Sequence, residues 1–232
     1  MSKKDQSKFR SISLFVLDVL LNVGVIVLLV VLIRFYLISP FQVHGPSMCS
    51  SFNIYEDECI RGNGEYIMIY KLGYRNLFGW QVGLPERGDV VVFRPPEPDK
   101  GEFYIKRVIG VPGDLVKFED GYVVIYNDEN PDGWRLDESI YLNEDNWGDS
   151  DGLANFKSAG YGYIAEGNYF LVGDNRNASS DSRHCFSSAG CAGGKRKGLY
   201  GVPLENIQGR AVLVMWPFGH VRTVPRVDYS TY

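Results

Sequence analysis

Ser47 is the first residue whose type and setting suggest covalent chemistry. It lies in the sequence Gly-Pro-Ser-Met at residues 45–48, a turn-forming context that follows an extended stretch of chain. Most serines in such turns are structural or solvated, and a serine hydroxyl becomes a useful nucleophile only beside a base. None of the three histidines lies in a segment typical of a Ser-His-Asp arrangement, so the base must be another residue.

Lys106 is the candidate base. It stands beside Arg107 in residues 104–109, Tyr-Ile-Lys-Arg-Val-Ile, a composition typical of a strand. Side chains alternate between the faces of a strand, so one of the two cations must point to the apolar face. Burial lowers the pKa of a lysine, whereas arginine stays protonated. Lys106 could therefore take the serine proton, although an edge strand protected by charges is the structural alternative.

Residues 173–183 form a third polar segment, with the sequence Gly-Asp-Asn-Arg-Asn-Ala-Ser-Ser-Asp-Ser-Arg after a strand-like stretch. Asp, Asn and Ser side chains build turns by bonding to nearby backbone groups, which is the structural interpretation. Such a loop can also present a hydroxyl that orients Lys106, with Asp–Arg pairs holding the loop in place.

An apolar segment near the N-terminus predicts where these residues act. Residues 14–38 are almost unbroken in their apolar character, and a helix over 17–36 would be about 30 Å long, enough to cross a bilayer. Basic residues precede it, so the positive-inside rule places residues 1–12 in the cytoplasm and the chain after the anchor outside. A cleaved signal peptide is the alternative, but its apolar region is shorter and ends in a small-x-small site. We predict a single-pass cell-membrane anchor over residues 13–38.

The rest of the chain has the composition and pattern of an all-β domain. Of the 232 residues, 45% are hydrophobic and 22% are charged, which excludes disorder, and the net charge of −4 argues against a nucleic-acid partner. Short runs of β-branched and aromatic residues occur between Gly, Pro, Asp and Asn at 89–93, 104–109, 121–126, 169–172 and 210–216. We predict an all-β catalytic domain of several short antiparallel strands, preceded by one transmembrane helix.

Two additions interrupt this β core. We predict a core made of residues 39–118 and 166–218, separated by an acidic insertion over 119–165 and followed by a C-terminal tail over 219–232. The insertion is interpreted as solvated, because the spacing of a calcium-binding EF-hand loop is absent. A Gly-rich basic loop is predicted within residues 184–198.

Four cysteines in an exported domain favour disulfides over free thiols. The local pairs along the chain are Cys49 with Cys59 and Cys185 with Cys191, although three pairings are possible in principle. Two histidines lie near cysteines, but the chain has no C-x-x-C spacing, so a zinc site is the weaker interpretation and no metal is expected.

Four motifs in this order behind an anchor resemble those of the bacterial type I signal peptidases, the leader peptidases. They are Gly-Pro-Ser-Met at 45–48, Arg-Gly-Asp-Val-Val-Val-Phe at 87–93, Tyr-Ile-Lys-Arg-Val-Ile-Gly-Val-Pro-Gly-Asp at 104–114, and residues 173–183. The resemblance implies a membrane-bound serine endopeptidase with a Ser/Lys dyad and no cofactor. Its partners would be the signal peptides of exported preproteins and the lipid bilayer.

The resemblance also implies a role for individual residues. Ser47 would be the nucleophile, Lys106 the general base, and Ser179 the hydroxyl that orients the amine. The residues bracing the site would be Arg107, Asp174, Arg176, Asp181 and Arg183. The Ser47 backbone N–H would be one oxyanion donor, and Gly45 stands where family members often carry a hydroxyl residue as the second donor.

Gly45 is one of two departures from the family pattern. The other is Met48-Cys49-Ser50, where Ser50 stands at a position that is usually proline. The altered Met48-Cys49-Ser50 segment leaves open a catalytically inactive, membrane-tethered binding protein on the same fold. A related Ser/Lys peptidase, such as a self-cleaving repressor, is the other alternative, against which the anchor counts.

Overall fold

The computed structural model describes residues 3–56, 58–74, 83–96, 101–148, 163–186 and 200–229. The chain divides into two compact units, Met1–Ser39 and Pro40–Tyr232.

The first unit is dominated by one long helix. This helix, α1, spans Lys3–Leu32 and continues as a π-helical segment over Ile33–Leu37. Within it, Ile12–Leu37 has a mean hydropathy of 3.0 over its most apolar window, and that window is entirely unburied. Its 26 residues are enough to cross the hydrocarbon core of a bilayer.

The second unit is built almost entirely from strands. The strands formed by the described residues are β1 (Ile38–His44), β2 (Ile54–Tyr55), β3 (Glu58–Cys59), β4 (Asn63–Tyr70), β5 (Val90–Phe93), β6 (Tyr104–Gly110), β7 (Leu115–Glu119), β8 (Tyr122–Tyr126), β9 (Trp134–Arg135), β10 (Asn168–Val172), β11 (Val202–Pro203), β12 (Ile207–Trp216) and β13 (Arg222–Thr223). Short 3-10 turns occupy Arg176–Ala178, Ser182–His184, Leu204–Asn206 and Phe218–His220. Each of the runs predicted to be strands contains one, and the all-β fold class is confirmed.

The main sheet has the strand order β1-β4-β12-β5-β6-β10-β11, with β13 also paired to β12. The registers of β5 with β6, of β6 with β10 and of β12 with β4 and β5 are antiparallel. All four residues of β5 are buried, as expected for a β-branched run inside a sheet. Apolar side chains on the two sides of the sheet form separate core clusters, one around Phe52 and Ile67 and the other around Phe93 and Tyr169.

Strand β6 lies inside the sheet, which excludes the edge-strand interpretation of its two cations. It pairs with β5 on one side and β10 on the other, with Val91 opposite Lys106 and Val90 opposite Arg107. Both cations are 3% exposed. A strand that is hydrogen-bonded on both sides needs no charges to prevent pairing with another chain. The two buried cations therefore do not serve as edge-strand protection.

The segment predicted to be a solvated acidic insertion is partly structured and buried. Strand β8 pairs with β7 and β9 in a separate antiparallel sheet. Val123, Ile125 and Leu136 are buried there and pack against Ile109 and Phe170 of the main sheet. The acidic side chains can remain at the surface while alternate apolar residues form this core.

The segment predicted to be a C-terminal tail is also part of the folded unit. Strand β13 pairs with β12 through Thr223 opposite Leu213, and Tyr229 is 4% exposed. The side chain of Arg226 donates hydrogen bonds to Asp89, which is fully buried. Backbone pairing and a partly buried ion pair therefore hold residues that have no strand-like sequence pattern.

A disulfide joins Cys49, close after the first motif, to Cys59 in the β2–β3 hairpin. Cys185 is also disulfide-bonded. Its predicted partner, Cys191, and most of the predicted 184–198 loop lie outside the described residues.

Candidate active site

Ser47 and Lys106 meet at the end of β1. The strand ends at His44, and Gly45 then turns the chain with a φ of 77°, a conformation that glycine adopts without strain. The Lys106 amine, from the interior of the main sheet, donates a hydrogen bond of 2.6 Å to Ser47 Oγ. A second bond of 2.8 Å to the Ile105 carbonyl holds the amine in this direction.

The environment of the Lys106 amine favours its neutral form. Burial lowers the pKa of Lys106 from its ordinary value of 10.5 to about 8. Asp181 and Asp174 oppose this shift, whereas Arg183 adds to it. An amine with this pKa carries a usable lone pair near neutral pH and is hydrogen-bonded to a serine hydroxyl.

The third polar segment contacts the backbone of the serine. The Asn175 N–H donates a hydrogen bond of 3.1 Å to the Ser47 carbonyl. At Gly173, an added Cβ would lie 2.1 Å from Ser179 Oγ and 2.5 Å from the Ser47 carbonyl oxygen. Only glycine fits this approach, so the start of the loop packs directly against the serine segment.

Ser179 is brought to this region, but its hydroxyl does not orient the lysine in the structure. The residue is 9% exposed, and Ser179 Oγ has no hydrogen-bond partner among the described residues. The geometry therefore differs from the orienting contact that the sequence predicts. An unpaired buried hydroxyl is energetically costly, and the orienting role of Ser179 stays a prediction.

Two buried ion pairs hold the polar loop. Arg107 makes a bidentate pair with Asp174, with N–O distances of 2.9 and 2.7 Å, and Asp174 also accepts a bond from Ser51 Oγ. Arg183 makes a bidentate pair with Asp181, with both distances at 2.9 Å. Although burial alone would raise the pKa of Asp181, Arg183 and further hydrogen bonds hold it well below its ordinary value. Asp181 is therefore charged in its pair with Arg183.

The chain is similar in sequence to known peptidases. A family model described as signal peptidase, peptidase S26, matches residues 16–216. The chain belongs to the signal peptidase family. Signal peptidase I of Pseudomonas aeruginosa is 30% identical over 223 residues, which cover 86% of this chain and 73% of that protein. Signal peptidase I of Bacillus licheniformis is 31% identical over 199 residues, with coverages of 84% and 86%.

A solved signal peptidase I from Enterococcus faecalis is 26% identical, and the match covers 56% of this chain and 97% of that chain with a TM-score of 0.35. Membership of the signal peptidase family makes the chain a serine protease, a hydrolase whose family removes signal peptides. The resemblance predicted from the four motifs is confirmed.

A cleft of about 680 Å³ lies beside Ser47 in this signal peptidase. One wall is the β1 strand and the turn after it, and the other is formed by residues 101–106. Val43, Ile67 and Ile105 contribute apolar side chains to the lining. Such a cleft can accept an extended peptide with small apolar side chains next to Ser47.

Sequence reasoning missed an important partner of Arg176. The Arg176 guanidinium is bidentately bonded to Glu138, one contact being 2.8 Å, and the two side chains are 0% and 2% exposed. Burial lowers the pKa of Arg176, but Glu138 outweighs this and raises it above the ordinary value. The local signal is weak: Glu138 stands two residues after the buried Leu136, the spacing of one face of an extended segment.

Proposed function

We propose that this chain is a membrane-anchored serine endopeptidase that removes signal peptides from exported preproteins by a Ser/Lys dyad mechanism with an acyl-enzyme intermediate. The observation that carries the proposal is the 2.6 Å hydrogen bond between the buried Lys106 amine and Ser47 Oγ. Membership of the signal peptidase family supports the reaction class and the kind of substrate.

The reaction begins when neutral Lys106 takes the Ser47 proton. Ser47 Oγ attacks the scissile carbonyl, and the negative charge on the carbonyl oxygen is stabilised by the Ser47 backbone N–H. Protonated Lys106 then gives its proton to the departing amine, which leaves an ester on Ser47. A water molecule, deprotonated by Lys106, attacks the ester and regenerates both groups.

The substrate segment binds in extended form along β1. This strand is at one end of the main-sheet order and lines the cleft through Phe41 and Val43. An edge strand offers free backbone groups, so a peptide gains main-chain hydrogen bonds there while shallow apolar pockets select small side chains.

The polar loop supports the dyad in this mechanism. Ser179 orients the Lys106 amine after a rotation of its side chain, which would also give its buried hydroxyl a partner. Asp174 and Asp181, held by Arg107 and Arg183, keep the loop against the serine segment. Gly45 has no side-chain hydroxyl to serve as the second oxyanion donor, so another group must fill that role.

Covalent labelling tests the proposal against the inactive binding protein. A serine-reactive acylating inhibitor is expected to add one acyl group to the wild-type protein at Ser47, as read by intact mass and peptide mapping. Ser47→Ala should remain unlabelled, whereas Ser180→Ala, which changes a second serine lining the cleft, should label normally. A folded wild-type protein that forms no adduct would support the binding protein instead.

The pH dependence of cleavage is expected to follow the titration of Lys106. The amine must be neutral to accept a proton, and its pKa is about 8, so kcat/KM should rise with pH and reach half its plateau near pH 8. Because the neutral fraction falls tenfold per pH unit below the pKa, activity at pH 6 should be about 1% of the plateau. Peptide cleavage measured from pH 5 to 10 checks this. A kcat/KM that does not rise between pH 6 and pH 9 would contradict control of the reaction by the Lys106 amine.

The apolar helix anchors the catalytic unit in the bilayer, with the N-terminus in the cytoplasm. The charges that support this orientation are Lys3, Lys4, Lys8 and Arg10. The substrates are preproteins that share the bilayer with the enzyme. Nucleic acid has no role in this function.

Deleting residues 1–37 is expected to slow cleavage of a membrane-inserted preprotein by about 10²-fold, because confinement to one bilayer raises the effective substrate concentration. Cleavage of a short soluble peptide by the same variant should stay within about twofold of wild type, since no contact in the cleft is removed. Equal slowing of both substrates would contradict the anchoring role.

A further inference from the structure

One part of the predicted acidic insertion reaches both halves of the proposed active site. We call residues 138–147 the clamp segment. It follows β9 in the chain and contacts the turn after Ser47 on one side and the loop that begins at Gly173 on the other. The contacts are made by Glu138, Tyr141, Asn143, Asp145 and Asn146.

The contact to the serine segment is made by Asn143. Asn143 Oδ1 accepts a hydrogen bond of 3.2 Å from Ser50 Oγ, three residues after the nucleophile. The same oxygen accepts a bond of 2.6 Å from Asn146 Nδ2. The Asn143 carbonyl also accepts the N–H groups of Asn146 and Trp147, so the two asparagines are held in one turn.

The contacts to the polar loop are made by the next residues of that turn. Asn146 Oδ1 accepts a bond of 2.6 Å from the Arg176 backbone N–H, and Asn146 is 5% exposed. The Asp145 carbonyl accepts a bond of 3.0 Å from Asn177 Nδ2. Asn143 and Asn146 therefore form a short bridge of side-chain amides from Ser50 to the backbone of the loop that carries Ser179.

A buried charge cluster fixes the start of the clamp segment. Glu138 pairs with Arg176 and accepts a hydrogen bond from the Tyr141 hydroxyl, which in turn accepts a bond of 3.0 Å from the Tyr229 hydroxyl. The Tyr141 ring lies 4.0 Å from the Arg107 guanidinium carbon. The clamp segment thus contacts the side chains of Arg107 and Arg176, two of the three arginines predicted to brace the site.

We propose that the clamp segment is a positioning element of the peptidase, in which Asn143 and Asn146 hold the Ser47 turn and the Ser179 loop in register. This inference rests on the proposed Ser/Lys function. It also assigns a role to the acidic insertion. Ser50 stands where a rigid proline is usual. The clamp segment supports it by linking it, through Asn143 and Asn146, to the loop that carries Ser179.

The decisive variants are Asn146→Ala and Asn143→Ala, assayed on a signal-peptide substrate. Because a misplacement of about 1 Å can cost about 10²-fold in rate, we expect kcat to fall by about 10- to 100-fold, with KM within about twofold of wild type. The midpoint of the pH profile of kcat/KM should move upward from about 8, since a loosened loop admits water to the Lys106 amine. A purely structural role would not move that midpoint.

Asn143→Asp and Asn130→Ala are the controls. Asn143→Asp keeps an oxygen that accepts from both Ser50 and Asn146, so it should restore most of the activity lost in Asn143→Ala. Asn130 lies in the same predicted insertion, and its side chain bonds to Asn127, so Asn130→Ala should behave as wild type. Thermal unfolding of each variant shows whether it is folded.

The outcomes separate the clamp from the proposed function. The proposed role of the clamp segment is wrong if the folded alanine variants keep the wild-type kcat and pH midpoint. It is also wrong if Asn130→Ala loses as much activity as they do, or if Asn143→Asp does not restore the activity lost in Asn143→Ala. If Asn146→Ala does not fold, the comparison of Asn143→Ala with Asn143→Asp tests the proposal. The bond between Asn143 and Ser50 is exposed, so its loss should leave the protein folded. Failure of the Ser/Lys proposal would appear instead as an unlabelled Ser47 in the wild-type protein.

Discussion

Lys106→Met is expected to lower kcat/KM for signal-peptide cleavage by at least about 10³-fold while the protein remains folded. Methionine has a similar length and fills the same buried space, but it cannot accept a proton. The hydroxyl of Ser47 would then keep its proton and remain a poor nucleophile. Ser47→Ala removes the nucleophile itself and should reduce cleavage to the uncatalysed background.

The stability of Lys106→Met distinguishes lost chemistry from lost structure. The pKa of Lys106 is lowered from 10.5 to about 8 in the folded state, so the unfolded chain binds more protons between these values. The contribution of this residue to the free energy of unfolding therefore rises as the pH increases from 8 to 10.5. Below pH 8 the folded state bears the full cost of burying the charged amine. At pH 7 the methionine variant should be more stable than wild type by up to roughly 3 kcal/mol.

Lys117→Met is the matched control for this experiment. Lys117 lies on β7 with its side chain 42% exposed, and its ion pair with Glu119 is at the surface. Because exposed pairs contribute little, both activity and stability should stay close to wild type. Robust cleavage by Lys106→Met would reject the general-base assignment.

Arg107→Met is expected to lower the free energy of unfolding by about 3–5 kcal/mol, the cost typical of leaving a buried charge without its partner. The residue that loses its partner is Asp174, which is fully buried and retains only the Ser51 hydroxyl among the contacts described above. The variant should also lose activity, because Asp174 follows Gly173, which packs against Ser47. Equilibrium unfolding in urea at pH 7 measures the change.

A double-mutant cycle assigns this loss to the ion pair. Asp174→Asn alone leaves Arg107 without a charged partner, so the double variant should lose less than the sum of the single variants by about 1–3 kcal/mol. Arg135→Met is a suitable control, since Arg135 also lies over a tyrosine ring, that of Tyr122 at 4.5 Å, but at the exposed surface. A loss from Arg107→Met no larger than that of the control would show that the pair does not stabilise the fold.

The sequence alone determined the elements and the kinds of residue that carry the chemistry. Runs such as residues 89–93 and 104–109 predicted β5 and β6, because β-branched residues between turn formers have few other stable conformations. Ser47 and Lys106 could be singled out because no histidine fitted a triad and an arginine cannot act as a base. The order of the four motifs predicted the family, which the comparison confirms.

Only the tertiary structure decided which charges are buried and which residues hold them. Whether Lys106 lies in an edge strand or inside the sheet depends on the neighbours of β6, which are distant in sequence and supply the burial that lowers its pKa. Glu138 is paired with Arg176 across 38 residues, and no local pattern encodes such a pair. Two residues of the predicted tail, Arg222 and Thr223, form a strand for the same reason, since pairing partners arise from long-range packing rather than from local propensity.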